Sequence, residues 1–297
     1  MLRSHLLHSL SFPVCSSSSH KDREGMDIDV VISIGGFYGF FMIGADKILK
    51  QLERDHQIRI QRYAGSSVGA ICAVCMACDI SAESVLDLYE SLREHPFQYF
   101  PVLRERLLNI LPIDAYLRCS HRVFIHATKL CVFPLRLQHV IISLFYNNED
   151  LVDAMMASSN MPFLVSSQWT YRFRGEHYMD GCFSRCLPLF EDNKYPQLLM
   201  KLYNIQYYGP FSYAPTDPSI ESLIIKGAIE TERFFSKKKE GIHTLAWHIP
   251  ASSRPSPWKT WWSRMDVVYM GWGLFSISTC MAFLGYHFFF SAKRKRT

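Results

Sequence analysis

The chain has 297 residues, of which 48% are hydrophobic and 20% are charged, and its formal net charge is +5. This composition indicates a globular protein rich in apolar residues and excludes a disordered tail protein, a collagen and a coiled coil. Because four of the positive charges lie at Lys293–Arg296, a nucleic-acid-binding surface spread over the fold is not expected. The nine cysteines are odd in number and irregularly spaced, which argues against a disulfide scaffold and favours a reducing compartment.

The first part of the chain alternates predicted strands with predicted helices. A β-branched run at 27–34 is typical of a buried strand, and a glycine loop and a helix at 40–57 follow it. A second unit has a strand at 58–64, the turn GSSVG and a helix at 68–78, after which Ser81 begins an amphipathic helix. This alternation predicts an α/β fold with a mainly parallel sheet that is covered on both faces.

Further elements are predicted along the rest of the chain. They are strands at 123–130, 138–144, 171–179 and 244–249, and helices at 149–158 and 219–235. The resulting division gives a disordered or targeting leader at 1–25, a folded domain at 26–255, a linker and interfacial segment at 256–266, a transmembrane helix at 267–291 and a basic tail at 292–297.

The transmembrane prediction rests on 267–291, which contains no formally charged residue. As a helix this run would be ~37 Å long, enough to cross a hydrocarbon core of ~30 Å. Three tryptophans at 258, 261 and 262 precede it, where their rings suit the headgroup layer. We therefore expect a single C-terminal span with the folded domain in the cytosol. Basic residues flank both ends, so the opposite orientation stays open, as does the organelle: endoplasmic reticulum, mitochondrial outer membrane, peroxisome or lipid droplet.

The pentapeptide Gly65–Gly69 reads G-x-S-x-G and lies between a predicted strand and a predicted helix. A serine nucleophile needs such a turn, because Gly65 and Gly69 let backbone and helix approach closely while the Ser67 hydroxyl projects from the sheet. The N-terminus of the following helix also stabilises developing negative charge. The pattern predicts a nucleophile elbow, although an ordinary turn explains it equally well without a second signal.

A second signal precedes the elbow by one strand and helix. Gly35 and Gly36 lie in the loop at 34–39, at the start of a helix, where N–H groups unshielded by side chains can hold a phosphate or an oxyanion. The loop matches neither the G-x-G-x-x-G pattern nor a P-loop. A third signal is Asp180-Gly181, which ends a predicted strand. All three would lie at the C-terminal edge of a parallel sheet, where such folds bind ligands.

Together the three motifs resemble those of the patatin-like phospholipase family. The resemblance covers residues 28–188 and includes Ala157–Pro162, which is similar to the helix end that precedes the aspartate strand in that family. It implies a three-layer α/β/α sandwich and hydrolysis of lipid acyl esters without a metal or another cofactor. The implied partner is a lipid substrate at a membrane interface, and no nucleic acid partner is expected.

The resemblance also implies roles for individual residues. Ser67 would be the nucleophile and Asp180 the base, with Gly181 completing the Asp-Gly motif. The backbone of Gly35, Gly36 and Phe37 would form the oxyanion hole.

The chain departs from the family pattern at three positions. Ile34 stands where the family usually has glycine, Tyr38 where it often has a basic or aliphatic residue, and Cys182 where it usually has glycine or alanine. Ile34 is expected to alter the loop backbone and weaken oxyanion binding. One lost donor raises such a barrier by roughly 2.7–4 kcal/mol.

A dyad without histidine places a demand on Asp180. An aspartate with a pKa of ~3.9 is a poor base for a hydroxyl, so we expect Asp180 in a mostly apolar pocket that raises its pKa, within hydrogen-bond reach of Ser67. The alternative is a Ser-Asp-His triad, for which His243 and His248 follow in the order found in α/β-hydrolases.

The resulting hypothesis is a membrane-anchored serine lipid acyl hydrolase. Two alternatives stay open: a lipid transacylase that uses the same dyad, and an inactive lipid-binding or scaffold protein. The C-x-x-C-x-x-C run at Cys72, Cys75 and Cys78 is interpreted as core packing and not as iron–sulfur ligation, because no fourth cysteine with a suitable spacing follows.

Overall fold

The computed structural model describes residues 25–94, 99–133, 135–162, 165–204, 220–236 and 242–249. No helix within these ranges combines the length and the apolar character that a bilayer crossing requires. The predicted span at 267–291 lies outside the described residues, as do the linker at 256–266, the basic tail at 292–297 and the leader at 1–25 except for Gly25.

A parallel unit of four strands forms the centre of the sheet and confirms the predicted fold class. In spatial order they are β7 (Gln197–Met200), β1 (Met26–Ile32), β2 (Ile58–Ser66) and β3 (Val123–Cys131). Every residue of β7 is buried, as are the last five of β1, which is typical of parallel strands covered on both faces. The sequence did not predict β7, a four-residue strand in a stretch of loops.

Antiparallel strands extend this unit on both sides. They are β4 (Arg136–Ile142) and β6 (Glu176–Met179) on β3, β5 (Tyr171–Phe173) on β6, and β8 (Leu245–His248) on β7. The prediction of a single strand at 171–179 is wrong, because β5 and β6 are two paired strands. It is a hairpin, because Arg174 and Gly175 both take positive φ angles, of 47° and 79°, as a tight two-residue turn requires.

Seven helices connect the described strands. They are α1 (Phe40–Arg54), α2 (Val68–Ala77), α3 (Ala82–Glu94), α4 (Tyr99–Ile110), α5 (Ala115–Cys119), α6 (Asn148–Ser159) and α7 (Ile220–Phe235). Helix α2 is buried along its whole length, whereas α1 buries one face. The predicted N-cap of α3 is confirmed, since the Ser81 hydroxyl accepts the N–H of Ser84 at 3.1 Å. Helices α4 and α5 were not predicted.

This topology brings the three motifs to one edge of the sheet. Ile32 of β1 pairs with Gly65 of β2, so the glycine loop and the elbow leave neighbouring strands at the same level. Met179 of β6 pairs with Thr128 near the end of β3, and Asp180 follows directly. The C-terminal edge of the parallel unit therefore carries all three motifs, as the sequence predicted.

Candidate active site

The turn between β2 and α2 holds Ser67 in a rare backbone conformation, with φ 56° and ψ −130°. A non-glycine residue in such a conformation costs on the order of 1–3 kcal/mol. The flanking glycines make the turn possible: a Cβ on Gly65 would clash with the carbonyl of Gly69, and a Cβ on Gly69 would lie 2.5 Å from the Ile32 oxygen. The predicted elbow geometry is therefore present, and Ser67 stands at the N-terminus of a buried helix.

The side chain of Ser67 meets that of Asp180 directly. The Ser67 hydroxyl donates to Oδ2 of Asp180 at 2.6 Å, while the backbone N–H of Cys182 donates to Oδ1 at 2.8 Å. Asp180 is 1% exposed. Each oxygen of the carboxyl group thus accepts a hydrogen bond, one from a hydroxyl group and the other from a backbone N–H.

Burial sets the acidity of this carboxyl group. Desolvation raises the pKa of Asp180 above its ordinary value, and the hydrogen bonds from Ser67 and from the Cys182 N–H oppose that rise. A base whose pKa lies above that of a free aspartate takes a proton more readily. The burial, the raised pKa and the contact with Ser67 that were predicted for a histidine-free base are therefore present at Asp180.

Backbone contacts fix the position of Asp180. Its N–H donates to the carbonyl of Asn160 at 2.9 Å, and its own carbonyl accepts the Thr128 hydroxyl at 2.8 Å. Gly181 is required at the next position, because a Cβ there would clash with Ser66 and with the His126 carbonyl. Asp180 is thus held between the end of α6 and the end of β3.

Ser158, near the end of α6, positions the backbone of the candidate nucleophile. Its hydroxyl accepts the N–H of Ser67 at 2.9 Å and donates to the His126 carbonyl at 2.7 Å. The side chain is completely buried. No role was predicted for Ser158 from sequence, although it lies in the Ala157–Pro162 stretch that resembles the family.

The glycine loop offers free backbone donors. The N–H of Ile34 donates to Cys186 and that of Tyr38 to Gly35, whereas the N–H groups of Gly35 and Gly36 have no protein acceptor within the described ranges. Gly36 has φ +51°, a value that favours glycine. Ile34 does not have a positive φ. The isoleucine that replaces the family's usual glycine therefore lies at a position whose backbone tolerates a side chain.

The two candidate histidines do not contact the Ser67–Asp180 pair. His248 pairs with Gln197, the first residue of β7, which places it towards the opposite edge of the sheet. His243 is exposed, and its carbonyl accepts a hydrogen bond from the Asn204 side chain.

The described residues contain no group of three or more histidine, cysteine or acidic side chains that could hold a metal ion. Cys72, Cys75 and Cys78 are buried in and beside α2.

Removal of the Ser158 hydroxyl should slow the reaction of Ser67. In Ser158→Ala the Ser67 N–H loses its acceptor, so we expect the rate of Ser67 labelling by a fluorophosphonate to fall roughly tenfold or more. Ser159→Ala is the matched control, because the Ser159 hydroxyl is equally buried and has no partner within the described ranges. Equal rates in the two variants would contradict the positioning role of Ser158.

Replacement of Asp180 by asparagine should stabilise the fold while it abolishes reactivity. Because burial raises the pKa of Asp180 in the folded state, the ionised carboxylate destabilises the native protein at neutral pH. We expect Asp180→Asn to unfold at a higher denaturant concentration than the wild type at pH 7. The difference should shrink as pH falls through the raised pKa, and reactivity should fall roughly 100-fold or more. A variant that is less stable at pH 7 would contradict this account of the carboxyl group.

Comparison with known proteins identifies the family. The patatin-like phospholipase profile matches residues 30–191. A 1-acylglycerol-3-phosphate O-acyltransferase of Mus musculus is 30% identical over 168 residues, which cover 52% of this chain and 39% of that protein. Patatin-like phospholipase domain-containing protein 5 of Homo sapiens is 27% identical over 215 residues, which cover 67% of this chain and 48% of that protein.

A third relative is an omega-hydroxyceramide transacylase of Mus musculus, 24% identical over 170 residues, which cover 54% of this chain and 28% of that protein. The chain thus spans less than half the length of these three curated relatives. The matched region contains the glycine loop, the elbow and the Asp-Gly motif. This chain belongs to the patatin-like phospholipase family.

Proposed function

We propose that this chain is a membrane-anchored serine hydrolase of lipid acyl esters, with Ser67 as nucleophile and Asp180 as its base. The observation that carries the proposal is the direct hydrogen bond of 2.6 Å between the Ser67 hydroxyl and a carboxylate that is shielded from water. Nucleophile and base are within the distance that proton transfer requires. The proposed substrates are glycerophospholipids or neutral glycerolipids.

In the first half of the proposed reaction the Ser67 oxygen attacks the ester carbonyl carbon while its proton passes to Asp180. The tetrahedral intermediate collapses, the bond to the alkoxy group breaks, and the departing alcohol takes the proton from Asp180. An acyl group is now esterified to Ser67. In the second half Asp180 removes a proton from water, the hydroxide oxygen attacks the acyl carbon, and the fatty acid leaves as the proton returns to Ser67.

The oxyanion of both intermediates would be bound by the glycine loop. We assign this role to the N–H groups of Gly35, Gly36 and Phe37. The assignment is supported by the N–H groups of Gly35 and Gly36, which have no protein acceptor among the described residues. The N-terminus of α2 contributes favourable electrostatic potential at the same edge.

A transacylase is the second candidate function. Two relatives carry the names of enzymes that transfer acyl groups, and the same acyl-enzyme would serve if the hydroxyl of a lipid acceptor replaced water in the second half. The intact contact between Ser67 and Asp180 favours either activity over an inactive scaffold protein.

The anchor at 267–291 belongs to this proposal. A site held at the membrane surface has continuous access to insoluble substrate, and the cytosol is the proposed side of the folded domain. The wild-type chain should stay in the membrane pellet on carbonate extraction. A variant with Ile277→Lys and Phe283→Lys should be released, since each lysine near the centre of the span costs roughly 2.5–3.5 kcal/mol.

Activity-based labelling combined with product analysis tests the proposed function. A fluorophosphonate should label the wild type, His243→Ala and His248→Ala, but neither Ser67→Ala nor Asp180→Asn. With a radiolabelled glycerolipid, the wild type should release free fatty acid when no acceptor is added. Transfer of most of the label to an added monoacylglycerol would favour the transacylase, and loss of labelling in either histidine variant would contradict the dyad.

A further inference from the structure

A cavity of about 460 Å³ lies between helices α1 and α2 and the beginning of α3. Its volume is within the range of ~300–1,000 Å³ that is typical of small-molecule sites. Among the described residues, neither Ser67, Asp180 nor the pair Gly35–Gly36 lines it. The cavity is therefore separate from the candidate active site.

Helices α1 and α7 are in close contact beside the cavity. A Cβ on Gly44 of α1 would clash with the carbonyl of Ile224, and a Cβ on Gly227 of α7 would clash with the carbonyl of Phe41. The two backbones thus touch at these glycines, and Ile224 also lines the cavity. Helix α1 packs on α7 at this crossing, and the cavity remains on the side of α1 that faces α2.

The inner walls of the cavity are apolar. Met42 and Ile43 of α1 face Ile71, Cys75 and Met76 of α2 across it. The α1 residues that line the cavity extend from position 42 to position 50, a distance of ~12 Å at 1.5 Å per residue. An elongated space with walls of this kind suits one extended acyl chain better than a compact or polar ligand.

The inner end of the cavity lies next to the catalytic edge without opening through Ser67. Gly39 ends the short helical turn after the glycine loop, and the Cys72 thiol lies 4.0 Å from its carbonyl oxygen. Both residues line the cavity. A ligand would therefore contact the base of the glycine loop and the second turn of α2, behind the nucleophile.

The outer end of the cavity carries charges of both signs. Lys50 forms an ion pair with Asp46 at 2.8 Å and a second one with Asp79, and Lys47 and Glu83 line the same end. Burial raises the pKa of Asp46 to about 6 although Lys50 is adjacent, whereas the Asp79 side chain is 78% exposed, so this end of the cavity opens to solvent.

These charges select against a charged head group. A carboxylate or phosphate would meet Asp46 and Asp79, and a cation would meet Lys50, which already pairs with both of these carboxylates. A hydroxyl group donates to carboxylates and accepts from ammonium groups. An uncharged head group with hydroxyls can therefore satisfy both kinds of partner without breaking the ion pairs.

We propose that this cavity is a second lipid-binding site, which takes a single-chain neutral lipid of the monoacylglycerol class. The acyl chain lies between α1 and α2, and the glycerol hydroxyls lie among Asp46, Lys50 and Asp79. The proposal does not depend on the chemistry of Ser67, because the cavity is bounded by other residues.

Photo-crosslinking tests the proposal in the full-length chain. The probe is a monoacylglycerol with a diazirine in its acyl chain, added to Ser67→Ala protein in phosphatidylcholine vesicles so that its ester stays intact. We expect adducts on peptides that contain residues 42–43 and 71–76. An excess of unlabelled monoacylglycerol should suppress them, whereas the fatty acid and the lysophosphatidylcholine of the same chain length should compete at least fivefold less effectively.

Two filling variants and one control locate the site. Ile43→Trp and Val85→Trp place an indole in the cavity from two different helices, and both original side chains are only partly buried. Val102→Trp adds the same group at a partly buried position of α4 outside the cavity. We expect adducts to fall at least fivefold in each filling variant that retains the wild-type circular dichroism spectrum, and to stay unchanged in Val102→Trp.

Three results would overturn the proposal. They are adducts confined to peptides around positions 67 and 180, filling variants that crosslink like the control, and equal competition by the fatty acid. The first two would place the lipid elsewhere on the chain. The third would reject an uncharged head group, and because it needs no tryptophan variant, it decides the question even if every tryptophan variant fails to fold.

Discussion

The buried hydrogen bond between Ser67 and Asp180 is the constraint on which the rest of the site depends. A carboxylate without a cationic partner is unfavourable in a dry environment, and here its two oxygens accept hydrogen bonds from the uncharged Ser67 hydroxyl and the Cys182 N–H. The fold stabilises the arrangement through backbone contacts to Asn160 and Thr128. Strain at Ser67 and desolvation at Asp180 are thus both offset by packing and hydrogen bonds elsewhere.

In the proposed dyad this constraint would take the place of a histidine. In a triad an imidazole accepts the proton because its pKa is near neutral. Here burial raises the pKa of the Asp180 carboxyl group, in the direction of the pKa of an imidazole. His126, whose carbonyl helps to fix Ser158, has its ring paired with that of His139 at 2.8 Å. Burial lowers the pKa of His126 to about 3, so this ring is neutral at physiological pH. Its role in this account is structural.

Much of this architecture could be predicted from sequence, for physical reasons that are local. The elbow at Gly65–Gly69 was predictable because a strained turn restricts which residues it accepts, and strands β1 to β3 because strand and helix patterns alternate along the chain. Strand β7 was missed because three apolar residues after a loop carry little periodicity. Ser158 was missed because its role depends on a contact with the backbone of a residue 91 positions away, which no local pattern encodes. The position of the positive φ in the glycine loop, at Gly36 and not at Ile34, could be learned only from the backbone angles, and weaker oxyanion binding through Ile34 stays a prediction.

Mass spectrometry of the intact protein during turnover of an ester substrate tests the central claim most directly. The account predicts that rapid quenching of the wild type traps a species heavier by one acyl group, and that peptide mapping places this group on Ser67. The same species should form in His243→Ala and His248→Ala, and it should be absent in Asp180→Asn. An acyl group on another residue, or its normal formation in Asp180→Asn, would contradict the account.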